Sequence, residues 1–167
     1  MTNVSRELII KGFMEKAKKE IVGPRSGFDS GFQSASILIN CWIAFEALTC
    51  LRYNLDGVQQ RINKFVEEFS DDYKSYFPNS PDELRRAIIG LMSYSVLDMR
   101  PSHQQDLPIK IEDGKDLEQV FEIIYRVRCN LFHGGKDMQE VRDIELVHYS
   151  GVVLYYILEK ILGNLNI

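Results

Sequence analysis

The chain has 167 residues, of which 45% are hydrophobic and 26% charged, and its net charge is −4. That is the size and balance of one globular domain with enough apolar residues for a core. The acidity excludes a protein that coats nucleic acid through bulk charge, while leaving room for a local cationic cleft.

Three cysteines (Cys41, Cys50, Cys129) with no CxxC spacing argue against a disulfide framework or a structural zinc site. Cys129 and His133, four apart, lack the further ligands a zinc ion needs, so no metal and no cofactor are expected. No apolar run reaches the roughly 18–20 residues of a membrane span. Residues 37–51 come closest, interrupted by Asn40, Glu46 and Thr49. The first seven residues lack a signal-peptide layout, so the expectation is a cytoplasmic protein away from membranes.

In chain order, residues 4–21 read as a helix with Leu8, Ile9, Phe13, Ala17 and Ile21 on one face and four lysines largely elsewhere. The run Gly23-Pro24-Arg25-Ser26-Gly27 breaks it. Residues 29–53 read as a long helix, capped by Asp29 or Ser30 and apolar nearly all round from Ile37 to Leu51, so it should be buried on several sides. Glu46 is its odd residue. A carboxylate there needs a partner or carries a desolvation cost of about 2–5 kcal/mol; the candidates are the nearest Arg or Tyr in the fold, or Arg128 as a residue that Glu46 holds in place.

After a turn at Asp56-Gly57, residues 58–69 form a shorter helix, followed by an acidic, polar stretch with Tyr73, Tyr76 and Phe77 as anchors. Ser80-Pro81-Asp82-Glu83 signals a helix start, with Ser80 as the cap and the helix running to about Asp98. Residues 100–114 are the longest loop, containing an exposed His103 and an Ile109-Lys110-Ile111 segment that is either a short strand or extended chain. Residues 116–133 form another amphipathic helix. Asp137 to Glu140 makes a capping box for a last helix to about Leu162, on which His148 is packed. About six helices and no convincing strand define an all-α, single-domain helical bundle spanning residues 1–167.

The chemistry concentrates in Tyr125 to Lys136. Leu117, Val120, Phe121, Ile124, Val127 and Leu131 make one apolar face, and Gly134-Gly135 ends the helix. His133 falls in the last turn, at the negative end of the helix dipole. Arg126, Arg128 and Lys136 are three cations with no acid among them. A partly buried cationic site with an imidazole suits a phosphate, because Arg holds the oxygens bidentately and His moves a proton. The alternative is ordinary capping, since cations near a helix C-terminus followed by Gly are common dipole partners.

The run Arg128-Cys129-Asn130-Leu131-Phe132-His133 resembles the Arg-x4-to-6-His signature of the HEPN superfamily. Asn130 to Lys136 looks like the Asn-Leu-Phe-His-Gly-Gly-Lys words of its prokaryotic, Apea-like branch. The spacing alone also fits Arg126 with His133 and Arg142 with His148; the flanking words single out Arg128 and His133. Trp42, Glu46 and Leu48 resemble a Trp-x3-Glu-x-Leu pattern in the same branch. Cys129 stands where many members carry a polar residue, often Asn.

The resemblance implies a helical domain that pairs as a homodimer, with both motifs facing one cleft, and a metal-independent endoribonuclease. Its partners would be RNA, a second copy, and an antitoxin or other protein, in a toxin–antitoxin or phage-defence setting. His133 would be the acid or base and Arg128 the phosphate stabiliser. Arg126 and Lys136 would seat the backbone, Asn130 would orient a phosphate or the other motif, and Glu46 would support Arg128. The alternative within the resemblance is a non-catalytic HEPN module for RNA binding, protein binding or dimerisation.

Overall fold

The architecture comes from a computed structural model that describes residues 3–23, 30–97, 107–133 and 140–165. Six α-helices follow one another: α1 (Asn3–Val22), α2 (Ser30–Arg52), α3 (Val58–Tyr76), α4 (Asp82–Met92), α5 (Leu117–Phe132) and α6 (Val141–Leu165). The chain is an all-helical bundle, as its periodicity indicates. Helix α2 lies between α1 and α6; α6 also carries α4 and α5, and α3 packs on α5.

A close approach sets the α2–α6 contact. A Cβ added to Gly151 would lie 2.8 Å from Ile37 Cγ2 and 2.9 Å from the Leu38 backbone nitrogen. Around the middle of the bundle an aromatic cluster joins three helices. Phe45 of α2 has its ring centroid 5.2 Å from Phe65 of α3 and 5.3 Å from Phe121 of α5, and Phe65 and Phe121 are 5.1 Å apart. All three are completely buried, and each aromatic contact adds about 0.5–1.5 kcal/mol beyond area burial.

Three element boundaries differ from the sequence reading. Helix α3 continues to Tyr76 instead of stopping at residue 69. The stripe Phe65, Phe69, Tyr73 keeps the helical period and stays buried, while Glu67, Glu68, Asp71 and Asp72 occupy the exposed side. The Tyr73 hydroxyl then donates to the Gly114 carbonyl at 2.9 Å, tying α3 to the chain just before α5.

Helix α4 ends at Met92, about six residues early. Beyond it Val96 and Ile109 form an isolated antiparallel bridge with bonds of 2.8 and 3.0 Å, which resolves Ile109-Lys110-Ile111 as extended chain paired at one residue. Ser80 does not cap α4; its hydroxyl donates to the Phe77 carbonyl at 2.7 Å and closes the turn between α3 and α4.

One composition-based expectation is corrected. Helix α2 is long and apolar enough, by length and composition, to cross a membrane, with a mean hydropathy of 1.5 in its most apolar window. In the bundle 56% of that window is buried against other helices. Asn40 and Thr49 do not interrupt it, because Thr49 donates back to the Phe45 carbonyl at 2.9 Å and Asn40 to Ser36 Oγ at 3.2 Å.

Two outcomes test this packing. Gly151→Ala should lower the urea midpoint by about 1–3 kcal/mol equivalent with an unchanged m-value, since the Leu38 backbone must move; the ~1 kcal/mol gain in helix propensity does not offset that. Burial disfavours the charged thiolate of Cys41 and raises its pKa far above the ordinary thiol range, and Cys129 is also buried while Cys50 is exposed. A maleimide at mildly alkaline pH should therefore label Cys50 alone in the folded protein, and all three thiols in denaturant.

Candidate functional site

Helix α5 begins with Asp116, whose carboxylate accepts from the Glu118 and Gln119 backbone N–H groups. It ends at His133, whose N–H donates to the Cys129 carbonyl at 3.0 Å and whose side chain is exposed. Between these caps Val120, Phe121, Ile124 and Val127 are buried, and that apolar face fixes the rotation of α5. The rotation decides which polar residues of the motif reach solvent.

Arg128 reaches it in part. Its side chain is 25% exposed and spans from α5 to α2. The guanidinium carbon lies 4.5 Å from the Phe132 ring centroid and 5.2 Å from that of Trp42, so the group is sandwiched between two aromatic rings. Each such contact is worth about 0.5–2 kcal/mol depending on desolvation. The Trp42 indole N–H donates to Glu46 Oε1 at 2.5 Å, and the same oxygen lies 3.7 Å from Arg128 Nη2. Glu46 thus sits beside Arg128, one of the two alternatives its sequence context leaves open, and its side chain is 36% exposed rather than buried.

A separation of 3.7 Å is an ion pair but too long for a hydrogen bond. At this exposure the pair contributes no more than about 1 kcal/mol. Arg128 Nε is buried without a hydrogen-bond acceptor among the described residues. Glu46 therefore orients the guanidinium without saturating its five donors.

The other residues singled out in the sequence divide. Arg126 is turned to the connection between α4 and α5. Its guanidinium donates to the Leu107 carbonyl at 2.9 Å and the Val96 carbonyl at 3.5 Å, pairs with Glu122 at 3.5 Å, and its side chain is only 13% exposed. Asn130, one turn on and 1% exposed, donates its amide to the Leu97 carbonyl at 2.7 Å. From α6, Arg142 donates to the Ser95 carbonyl at 2.9 Å.

These three side chains supply donors to backbone carbonyls of the α4–α5 connection; those of Ser95, Leu97 and Leu107 are left unused by helix and bridge, and that of Val96 already accepts from Ile109 in the bridge. Arg126 and Asn130 are thereby positioned as fasteners of that connection, and the structure does not bring them to the Arg128 face. Lys136, His103, Gly134 and Gly135 lie outside the described residues, as do Asp137 to Gln139 of the expected capping box. Cys129 is 2% exposed and faces the core, so its identity does not bear on the exposed face.

The geometry also separates the competing Arg–His spacings. His148 is buried, with its ring 5.8 Å from Tyr149. Arg126 is committed to carbonyls. Arg128 with His133 is the pair that keeps an exposed side on both residues. Two participants went unread in the sequence, Trp42 as the inner face of the Arg128 sandwich and Phe132 as the outer. Helical spacing was the available signal: Phe132 is four residues after Arg128, and Trp42 four before Glu46.

Among the described residues, no group of three or more His, Cys, Asp and Glu side chains is arranged to hold a metal ion. No protein-family model, curated protein or solved structure matches the chain.

Asn130→Ala separates a fastening role from a ligand-binding one. It leaves the Leu97 carbonyl without its donor and should cost about 1–3 kcal/mol of stability by urea denaturation. Unchanged stability would overturn the fastening role and return Asn130 to the candidate ligand-binding residues.

Proposed function

We propose that the protein is a metal-independent endoribonuclease of the HEPN type, acting as a homodimer whose two Arg128–His133 pairs share one cleft. The observation that carries this reading is the exposed end of α5. It presents an oriented but unsaturated guanidinium and, five residues on (about 7.5 Å along the axis), an exposed imidazole.

The chemistry needs little else. An RNA 2′-hydroxyl attacks the adjacent phosphorus while a base takes its proton. The bond to the 5′-oxygen breaks as an acid protonates that oxygen, leaving a 2′,3′-cyclic phosphate and a free 5′-hydroxyl. Arg128 stabilises the charge that builds on the phosphate oxygens.

One imidazole does not serve as base and acid at once. Among the described residues, His133 is the exposed histidine of each chain, so a two-fold dimer supplies the second. Lys136 adds a cation to seat the backbone, and the setting that goes with this reading is cytoplasmic, in toxin–antitoxin or phage defence.

The second reading is a non-catalytic module that binds RNA or a protein. The engagement of Arg126 and Asn130 in the fold favours it, because it withdraws one cation and one amide from the groups that could hold a substrate beside Arg128.

Cleavage of mixed-sequence RNA in EDTA decides between them. The wild type should cut, and His133→Ala should be slower by about 10²–10⁴-fold. Arg128→Ala should be impaired comparably, with both variants folded and dimeric by denaturation and light scattering. No cutting by the wild type, or equal cutting by all three, overturns the nuclease reading and leaves the binding module.

A further inference from the structure

Aromatic and cationic groups on both sides of Arg128 form one series of contacts, with a buried Trp42 inside and Phe132 at solvent. Tyr125 and Trp42 lie 5.9 Å apart at an interplanar angle of 29°. Arg128 covers Trp42 at 5.2 Å, and Phe132 covers Arg128 at 4.5 Å. From Trp42 outward exposure rises: Trp42 is 2% exposed, the Arg128 side chain 25%, and Phe132 52%, while Tyr125 on the far side of Trp42 is half-buried. The last ring is half in water and is held in place by the guanidinium beneath it.

We propose that Phe132 is a stacking platform for an unpaired RNA base, next to the phosphate that Arg128 holds. The proposal deepens the reading that this face handles RNA, and it names the substrate class: single-stranded or looped RNA.

Three features support it. An aromatic ring backed by a cation is already ordered, so stacking a base on it costs little further side-chain entropy. Base–aromatic stacking tolerates any base, because each has a π face, and a larger purine offers more area than a pyrimidine. Bases in a duplex are already stacked on one another, which disfavours paired RNA. Phe132 lies 4.5 Å from the Arg128 guanidinium, so a base stacked there would lie next to the phosphate that Arg128 holds. Phe132 is then a specificity-determining residue that selects an unpaired position.

Binding is measured with a short single-stranded RNA carrying one 2-aminopurine, with the same strand made abasic at that position, and with the strand annealed to its complement. The protein is His133→Ala, in EDTA, so that the strand stays intact. Adding Phe132→Ala should weaken binding of the single strand about 5- to 100-fold. Phe132→Leu, which keeps apolar packing on Arg128 without a π face, should weaken it similarly, and Phe132→Trp should bind at least as tightly as the parent. On the abasic strand the four proteins should bind alike, and the duplex should bind more weakly than the single strand throughout.

Equal binding by parent and Phe132→Ala overturns the platform. So does an equal loss on intact and abasic strands, which would mean that Phe132 only positions Arg128 or covers a second copy. Absence of RNA binding by the parent overturns it as well. The two proposals fail separately. RNA cutting by the wild type with an unchanged KM in Phe132→Ala removes the platform and keeps the nuclease; base-dependent binding without cutting removes the nuclease and keeps the platform.

Discussion

The structure depends on burying α2. A helix apolar around most of its circumference must be covered on several sides, and the bundle does this with α1 and α6 flanking it and the Phe65 and Phe121 rings meeting Phe45. That cover is incomplete at one edge, where Trp42 and Glu46 look toward the end of α5. The requirement that a buried indole N–H find an acceptor places Glu46 there. The carboxylate, once placed, holds a guanidinium nearby. The candidate site is thus a by-product of closing the core around α2.

Two kinds of polar work are divided between the faces of α5. Arg126 and Asn130 face the α4–α5 connection, where extended backbone leaves carbonyls that need donors. Arg128 faces α2, and its dominant contacts are with the faces of two aromatic rings, Trp42 of α2 and Phe132 of α5 itself. A cation held by π faces and a loose ion pair keeps donors available for a ligand's oxygens, whereas one held by carbonyls does not. The same residue type, two positions apart, therefore has opposite roles because α5 turns by about 100° per residue.

Periodicity made much of this legible. The six helices, the many-sided burial of α2 and the apolar face of α5 follow from residue spacing, and an isolated carboxylate on an apolar helix calls for a partner for Glu46, with Arg128 as one of the candidates. What spacing did not settle was rotation and contact. Arg126 and Arg128 both fit an Arg–His spacing, and although the flanking words single out Arg128, spacing does not say which of the two reaches solvent. The extension of α3 past residue 69 was hidden by charges that sit on its exposed side.

The sequence by itself determined the class of fold and the short segment where chemistry could occur, because those depend on local patterns of three to four residues. The tertiary structure alone decided that Arg126 and Asn130 fasten a connection, that Cys129 is buried, and that Trp42 of α2 joins Phe132 against Arg128. Those outcomes turn on which helix each face of α5 meets, and apart from Phe132, four residues on in the same helix, the partners are residues from about 20 to about 85 positions away in the chain, whose proximity only the packing of the whole bundle creates.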